Sequence, residues 1–503
     1  MAALLVAAAL LVPSLWLAAQ APLGLPGAAD WQRHLRLLGN TLGAAAAAAV
    51  SAIVVGIPGG LLIGLARFPG KQALSMASLG LLAIPSHLHA IAWVAVLGPD
   101  GWMPAGQHLL YSAPGAGVVV GLALAPLAMH VIARGCRDAD RSQVEAALLV
   151  RGRLIALQRV IVPAIAPWIG VAAVFVFALA AGNYGVPEHL RVHVHTVEAM
   201  AQFSALADGP GAAVMALPLA ALCAVLGATA LGWLLTQGQP TGGGEAVLLK
   251  GAWNGLAGTC ALGGLLGISG ALPLLGLAVR AGGLAAFLDA ARQLGPDLPG
   301  SFELAALAGL GAGAGGVTLA LAGRFGLGRW TGPIVFAACL LAFALPEAIL
   351  AVAAVSWLST SFAAPALYGT SAGLGLVLAL RYAPLGWALT AASLAGVSRA
   401  EEDAGRLAGA TLPRFIWRIV LPRIAAAVGG TALLAGALSL SDLEASLVMT
   451  PPGVNPVGVR LFNMIHYGLD SLLAASIFLI ATLVGLTAAA GCWLVGRTRS
   501  WAI

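Results

Sequence analysis

Apolar runs of about 20 residues recur along almost the whole chain, each long enough to cross the hydrocarbon core of a bilayer as a helix. Hydrophobic residues make up 60% of the 503 residues and charged residues only 9%, too few charges to cover a soluble domain of this size. The abundant glycine and alanine suit close helix–helix packing in lipid. The sequence predicts an all-α membrane protein with about twelve transmembrane helices, near residues 2–20, 38–65, 73–98, 113–134, 166–187, 211–236, 252–278, 301–322, 332–356, 369–391, 426–449 and 471–496.

The basic residues predict the orientation of these spans. With the amino terminus inside, 18 of the 25 lysines and arginines fall in loops on one side, six on the other, and Arg381 inside a span. Because Lys and Arg are enriched in cytoplasmic loops, the first side is expected to be the cytoplasm. The excess of positive charge follows from the Lys and Arg of the cytoplasmic loops. Membrane lipid is therefore an expected partner, and nucleic acid is not.

The two halves of the chain repeat. Ala125-Pro-Leu-Ala128 matches Ala383-Pro-Leu-Gly386 at an offset of 258 residues. Six predicted spans separate the two copies, an even number that keeps both in the same orientation. We therefore expect a first half at 1–236, a polar cytoplasmic linker at 237–250 and a second half at 251–503.

One charged segment lies in each half on the predicted cytoplasmic side. The first begins at Glu145-Ala146-Ala147, contains Gly152 and ends at Pro163. The second begins at Glu402-Asp403-Ala404, contains Gly409 and ends at Pro422, 259 residues after the first proline. Glycine permits a left-handed break, and proline is tolerated in the first turn of a helix. The pattern predicts a short exposed helix, a turn, and a second helix that re-enters the membrane.

These segments resemble the cytoplasmic EAA loop of ABC importer permeases, and two permease halves in one chain are similar to the fused permeases of iron(III) and thiamine importers. The second copy follows the loop pattern more closely, since its glycine lies six residues after Asp403, whereas Gly152 lies seven after Glu145. The resemblance implies a type I ABC importer permease fold of two six-helix pseudo-repeats in the bacterial inner membrane. It also implies two partners, a cytoplasmic ABC ATPase dimer and a periplasmic substrate-binding protein. The residues expected to couple to the ATPase are Glu145, Ala146, Ala147, Gly152, Glu402, Asp403, Ala404 and Gly409.

Polar residues within the predicted spans are the candidates for function, because such residues are costly in lipid. Glu347 and Arg381 could pair inside the membrane, or belong to the translocation path. A second set is expected to line that path near the outer ends of the fifth and eleventh spans, with polar caps at the membrane surface as the alternative. This set comprises Asn183, Tyr184, Ser441, Asp442 and Glu444, and Asn183 corresponds to Asp442 at the offset of 259.

No cofactor or metal site is expected. His87 and His89 are two apart and would point away from each other on a helix, and His193 and His195 would share a face only if extended. The sequence has no phosphate-binding G-x-x-x-x-G-K-[ST] loop, so ATP hydrolysis requires a separate subunit and the chain itself is not expected to be an enzyme.

The expected cargo is ferric iron, because the outer segments 450–460 and 463–468 are similar to those of iron(III)-type permeases. Thiamine or another small solute is the alternative within that class. An ion-coupled secondary transporter is the alternative of another class, for which Glu347 would be the coupling carboxylate.

Overall fold

The computed structural model describes residues 28–204, 255–325, 347–360, 364–394, 396–465 and 470–499, with isolated residues between 12 and 19, 211 and 229, and 332 and 339. Eight helices in this part of the chain are long and apolar enough to cross a membrane, or nine if one bent pair counts as a span. The described residues are thus the helices of a multi-pass membrane protein. The predicted spans 2–20 and 211–236, the linker 237–250 and the first part of 332–356 fall largely or wholly outside the described residues.

The amino-terminal part of the described chain contains eight α-helices of five or more residues. They are α1 (Ala28–Leu65), α2 (Lys71–Ala83), α3 (Ser86–Leu97), α4 (Ala113–Asp138), α5 (Arg141–Ala156), α6 (Val162–Ala181), α7 (Gly185–His189) and α8 (His195–Ser204). A π-helical turn, Leu157–Ile161, joins α5 to α6.

The carboxy-terminal part of the described chain contains eleven α-helices of five or more residues. They are α9 (Leu256–Leu266), α10 (Leu272–Ala281), α11 (Leu284–Leu294), α12 (Leu298–Phe325), α13 (Glu347–Thr360), α14 (Ser371–Leu394), α15 (Arg399–Leu407), α16 (Leu421–Leu440), α17 (Glu444–Met449), α18 (Val457–Ile465) and α19 (Ser471–Arg499). Further π-helical turns lie at Gly267–Ala271, between α9 and α10, and at Ile416–Val420, before α16.

The predicted third span, 73–98, is wrong as a single helix. It consists of α2 and α3, whose axes differ by 97° across a short break. Pro85 lies in this break and has no N–H to donate, and Ile84 before it is extended, with φ −69° and ψ 122°. Because proline disfavours helical geometry in the preceding residue, the helix ends there and restarts in a new direction.

Two other predicted boundaries are also wrong. The predicted span 166–187 corresponds to α6, which begins at Val162 and ends at Ala181. The predicted span 426–449 corresponds to α16, which ends at Leu440, so that Ser441 to Leu443 separate it from α17. The polar residues of both segments therefore lie just beyond a long apolar helix, where the chain turns.

The long helices pack in two similar groups. In the first group α1 contacts α4 and α6, and in the second α12 contacts α14 and α16. Small residues allow this approach: a methyl group on Gly316 of α12 would lie 2.3 Å from the carbonyl carbon of Gly386 in α14. The predicted role of glycine in close helix contact is confirmed at this crossing.

The two groups also share a core. The segment α9–α10 packs against α1, α2, α3 and α4, and α19 packs against α2. Leu88 and Ile91 of α3 belong to one apolar cluster with Leu277 of α10 and Ile477 of α19. The bent pair α2–α3 is therefore held in place by helices that follow it by more than 150 residues.

Candidate functional site

The first charged segment forms a helix outside the apolar spans. Asp140 caps α5 by accepting a hydrogen bond from the Ser142 N–H at 2.8 Å, and the hydrogen bonds from Ser142 lower the pKa of Asp140. Glu145 and Ala146 are exposed on α5, and Ala147 is half-buried. At Gly152 the backbone is left-handed, with φ 78°, which breaks the helix five residues before the π-helical turn.

The second charged segment has the same plan. Ser398 begins α15 with a capping box, in which its hydroxyl accepts from the Glu401 N–H and the Glu401 carboxylate accepts from the Ser398 N–H. Asp403 and Ala404 are exposed, and Asp403 lies 3.9 Å from Arg406. After α15, Gly409 has φ 74°, and the π-helical turn follows seven residues later.

Two ion pairs fix α15 to the membrane helices. Arg324, at the end of α12, donates to the Glu402 carboxylate through Nε at 3.1 Å and also through Nη2. Arg423 of α16 donates to Glu401 Oε2 at 2.8 Å, and this hydrogen bond is the main reason that the pKa of Glu401 falls to about 2. Glu402, predicted as a contact to the ATPase, is thus engaged within the protein.

Sequence reasoning missed two leucines in these segments. Leu149 of α5 is 88% exposed, and Leu407 of α15 is 90% exposed. They lie 258 residues apart, and each precedes its left-handed glycine by two or three residues. The sequence does carry a signal for them. In both segments an apolar residue lies two or three positions before the glycine. Among the large hydrophobic side chains of the described residues, these two leucines are the most exposed.

The first polar patch lies between α6 and α7. Asn183 donates through Nδ2 to Ser86 Oγ at 2.7 Å, and its Oδ1 accepts from the Val186 N–H at 3.0 Å. The Asn183 carbonyl accepts from Thr196 Oγ1 at 2.8 Å. Asn183 thus caps α7 and also links it to the bend between α2 and α3.

The second patch lies at the corresponding place between α16 and α17. Asp442 is buried and accepts through Oδ2 from the Ser446 N–H at 3.0 Å and the Ser446 hydroxyl at 3.1 Å, so that it caps α17 as Asn183 caps α7. Ser441 and Glu444 are also buried. The Tyr184 N–H donates to Glu444 Oε1 at 3.3 Å and joins the two patches directly. No hydrogen bond between described residues joins Asn183 to Asp442 itself.

Glu347 and Arg381 extend the second patch. Arg381 Nε lies 4.0 Å from Glu347 Oε2, at the limit of an ion pair, and both side chains are mostly buried. The Asp442 carboxyl faces those of Glu347 and Glu444, and Tyr382 of α14 lies among the same groups. The structure thus gathers three carboxyl groups and one guanidinium where α13, α14 and α17 meet.

Four of the histidines lie in two pairs, His87 with His189 and His34 with His195. A methyl group on Gly185 of α7 would meet His87, whereas one on Gly270, in a π-helical turn, would meet His89, so the prediction that these two point apart is confirmed. His87 stacks on His189 with ring centroids 5.9 Å apart. His195 faces His34, and its burial lowers its pKa. Among the described residues, no three His, Cys, Asp or Glu side chains are grouped so that they could hold a metal ion.

Comparisons with protein-family models and with curated proteins found no significant match to this chain.

Proposed function

We propose that the chain is the membrane permease of an ATP-binding-cassette importer, driven by a separate ATPase subunit. The observation that carries this proposal is the pair of exposed helices α5 and α15. Each presents an almost fully exposed leucine, is followed two or three residues after that leucine by a left-handed glycine, and leads through a π-helical turn into a 20-residue apolar helix. Two such helices, one in each half of the chain, offer equivalent contacts to a twofold-symmetric motor.

The proposal includes two pseudo-repeats of six spans. The matching bounds support it: α6 and α16 have the same length at an offset of 259, as do the π-helical turns before them, and α7 and α17 begin at the same offset. The packing supports it as well, since α1 with α4 and α6 corresponds to α12 with α14 and α16. The chain would thus provide both permease halves of one importer.

A mechanism follows from the connections within each half. Movement of an ATPase subunit against α15 would reach α12 through Arg324–Glu402 and α16 through Arg423–Glu401. At the far end of α16, the chain turns into the Asp442 patch, and at the far end of α6 it turns into the Asn183 patch. The Tyr184–Glu444 hydrogen bond joins these ends. Tilting α6 and α16 in opposite directions would therefore separate the two patches and open a polar path between them.

For the cargo we propose ferric iron, delivered by a periplasmic binding protein, with thiamine or another small solute as the alternative. The carboxyl groups of Glu347, Asp442 and Glu444 favour a cation over an anion. They are engaged with Arg381, Ser446 and the Tyr184 N–H, so they suit brief contact better than tight capture. Selectivity would then belong mainly to the binding protein.

The same carboxyl groups favour a second candidate function, an ion-coupled secondary transporter. Such a transporter keeps a coupling carboxylate inside the membrane, and Glu347 is mostly buried and faces Asp442. An ion-coupled secondary transporter does not need two exposed helices with exposed leucines. For that reason it is the second candidate.

We call the exposed leucines Leu149 and Leu407 the docking surface. It can be tested by changing both leucines to aspartate in one variant. We expect the variant to insert in the membrane but to lose its association with the ATPase subunit that co-purifies with the wild-type chain in mild detergent. Leu284→Asp is the matched control, because Leu284 is 73% exposed at the start of α11, away from both charged segments. Undiminished association of the double variant, measured by gel filtration and native mass spectrometry, would remove the main support for the proposal.

A further inference from the structure

Each π-helical turn that leads into α6 or α16 carries an arginine at its third position. These residues are Arg159 in Leu157–Ile161 and Arg418 in Ile416–Val420, 259 residues apart. Both side chains are exposed. π-Helical turns are rare and often occur at functional sites, because the extra residue changes which side chains share a face. The docking surface does not include these two arginines, which follow the glycine rather than precede it.

The exposed face of α6 shows which way Arg159 points. Ile161 and Ile165 are buried against the protein, whereas an exposed strip runs from Arg159 along the opposite face of the helix. The strip continues through Val162, Pro163, Ala166, Pro167 and Gly170. An exposed apolar strip on a transmembrane helix faces lipid. Arg159 therefore lies on the lipid side, at the end of the helix near the charged segment.

Arg418 has the same position on α16. Val420 and Ile424 are buried, and the exposed strip passes from Arg418 to Pro422 and Ala425. Arg414, one turn earlier, is also exposed, and Trp417 is 74% exposed beside them. Tryptophan and arginine are the side chains that settle at the boundary between hydrocarbon and headgroups.

Neither arginine has a partner in the part of the chain that the structure describes. No hydrogen bond or ion pair joins Arg159 or Arg418 to another described residue, although Arg324, Arg406 and Arg423 nearby each face a carboxylate. From this position the long arginine side chain can reach the headgroups, where anionic lipids attract positive charge. The guanidinium group matches a phosphate with two parallel hydrogen bonds, and its aliphatic stem can extend along the lipid-facing surface.

We propose that Arg159 and Arg418 form two equivalent sites for the phosphate of an anionic phospholipid. The sites require only the membrane-spanning architecture, so they go beyond the proposed transport function and do not depend on it. A bound headgroup would hold each turn at the membrane surface, at the point where an exposed helix joins a span. The alternative partner is an acidic surface of the ATPase subunit, which the test below separates from lipid.

The test measures lipid retention by the full chain, purified in mild detergent and mixed with equal amounts of phosphatidylglycerol and phosphatidylcholine. Native mass spectrometry counts the bound lipids. We expect the wild-type chain to prefer phosphatidylglycerol, and R159Q/R418Q to lose roughly fivefold in this preference at each site. R159K/R418K keeps the charge but not the two parallel hydrogen bonds, so it should fall between them. R159K/R418K replaces the same two residues, so lipid binding by this variant also shows whether a lost preference in R159Q/R418Q reflects misfolding.

The control is R36Q/R292Q, which changes the net charge equally at exposed arginines outside both turns. It should retain the wild-type preference. The proposal is overturned if R159Q/R418Q keeps that preference, if the control loses it equally, or if the wild-type chain shows none. Loss of ATPase association by R159Q/R418Q with unchanged lipid retention would assign the arginines to the motor instead. Because no transport is measured, failure here leaves the transport proposal standing.

Discussion

Gly409 is the residue whose backbone most directly links an exposed helix to a span. Its φ of 74° lies in the left-handed region, and a side chain there would meet no atom within 4 Å. The cost of a substitution is therefore conformational, roughly 1–2 kcal/mol for a residue with a Cβ, and larger for a β-branched one. We expect Gly409→Val to insert normally but to lose solute uptake, because the turn no longer positions α15.

The control for this variant is Gly369→Val. Gly369 has φ 70° and is equally free of neighbours, but it lies in the turn before α14. It carries the same strain outside the charged segments. Uptake should survive in the control and fail in Gly409→Val, as measured in proteoliposomes with equal amounts of inserted protein. Equal uptake by the two variants would contradict the role given to Gly409.

The ionisation of Glu401 predicts that the stability of the folded protein depends on pH. Its pKa falls from 4.5 to about 2, chiefly because Arg423 donates a hydrogen bond to its carboxylate. Since the folded-state pKa lies below the ordinary value, the contribution to stability is complete above pH 4.5 and is lost as the pH falls toward 2. The melting temperature of wild type should therefore exceed that of Glu401→Gln at neutral pH, and the two should converge toward pH 2. Glu303→Gln, at an exposed glutamate of α12, should show no such convergence.

At the scale of elements, α15 depends on its ion pair with α12. Arg324 is 28% exposed and Glu402 17% exposed, so the pair is partly shielded from solvent. Arg324→Glu and Glu402→Arg alone should each place like charges together and uncouple ATP hydrolysis from uptake. The double exchange restores opposite charges and should recover much of the coupling, because the interaction depends on the pair. ATP consumed per solute transported is the measurement, and no recovery in the double variant would refute the link.

The apolar runs predicted most elements, because a helix in lipid must be long and apolar whatever packs beside it. The bend at Pro85 was missed because residues 81–84 and 90–97 are as apolar as a continuous span, and proline is tolerated within such helices, as Pro126 is in α4. The capping box of Ser398 and Glu401 was readable from its spacing, S-x-x-E, but it was not recognised.

The candidate site was less predictable from sequence. The offset of 259 paired Asn183 with Asp442, yet the contact between the patches is made by the Tyr184 N–H and Glu444. A backbone donor has no sequence signature, so this contact could not be predicted. The approach of Glu347 and Arg381 to Asp442 likewise depends on how α13, α14 and α17 meet, which a single sequence does not specify.

At the scale of the whole molecule, the two candidate functions differ in what drives solute through the chain. A permease with two docking helices moves solute only when an ATPase acts on both. An ion-coupled transporter needs no other subunit, and its buried carboxylates respond to the ion gradient alone. The two candidates therefore differ in the energy source and not only in the cargo.

Solute uptake in proteoliposomes tests this difference most directly. The chain would be reconstituted alone, and with its ATPase subunit and binding protein, and radioactive ferric iron uptake followed with ATP or with a proton or sodium gradient. We predict ATP-dependent uptake by the complete assembly, its loss in the Leu149→Asp/Leu407→Asp variant, and no uptake by the chain alone under either gradient. Accumulation of solute by the chain alone on an ion gradient, without ATP, would contradict the account.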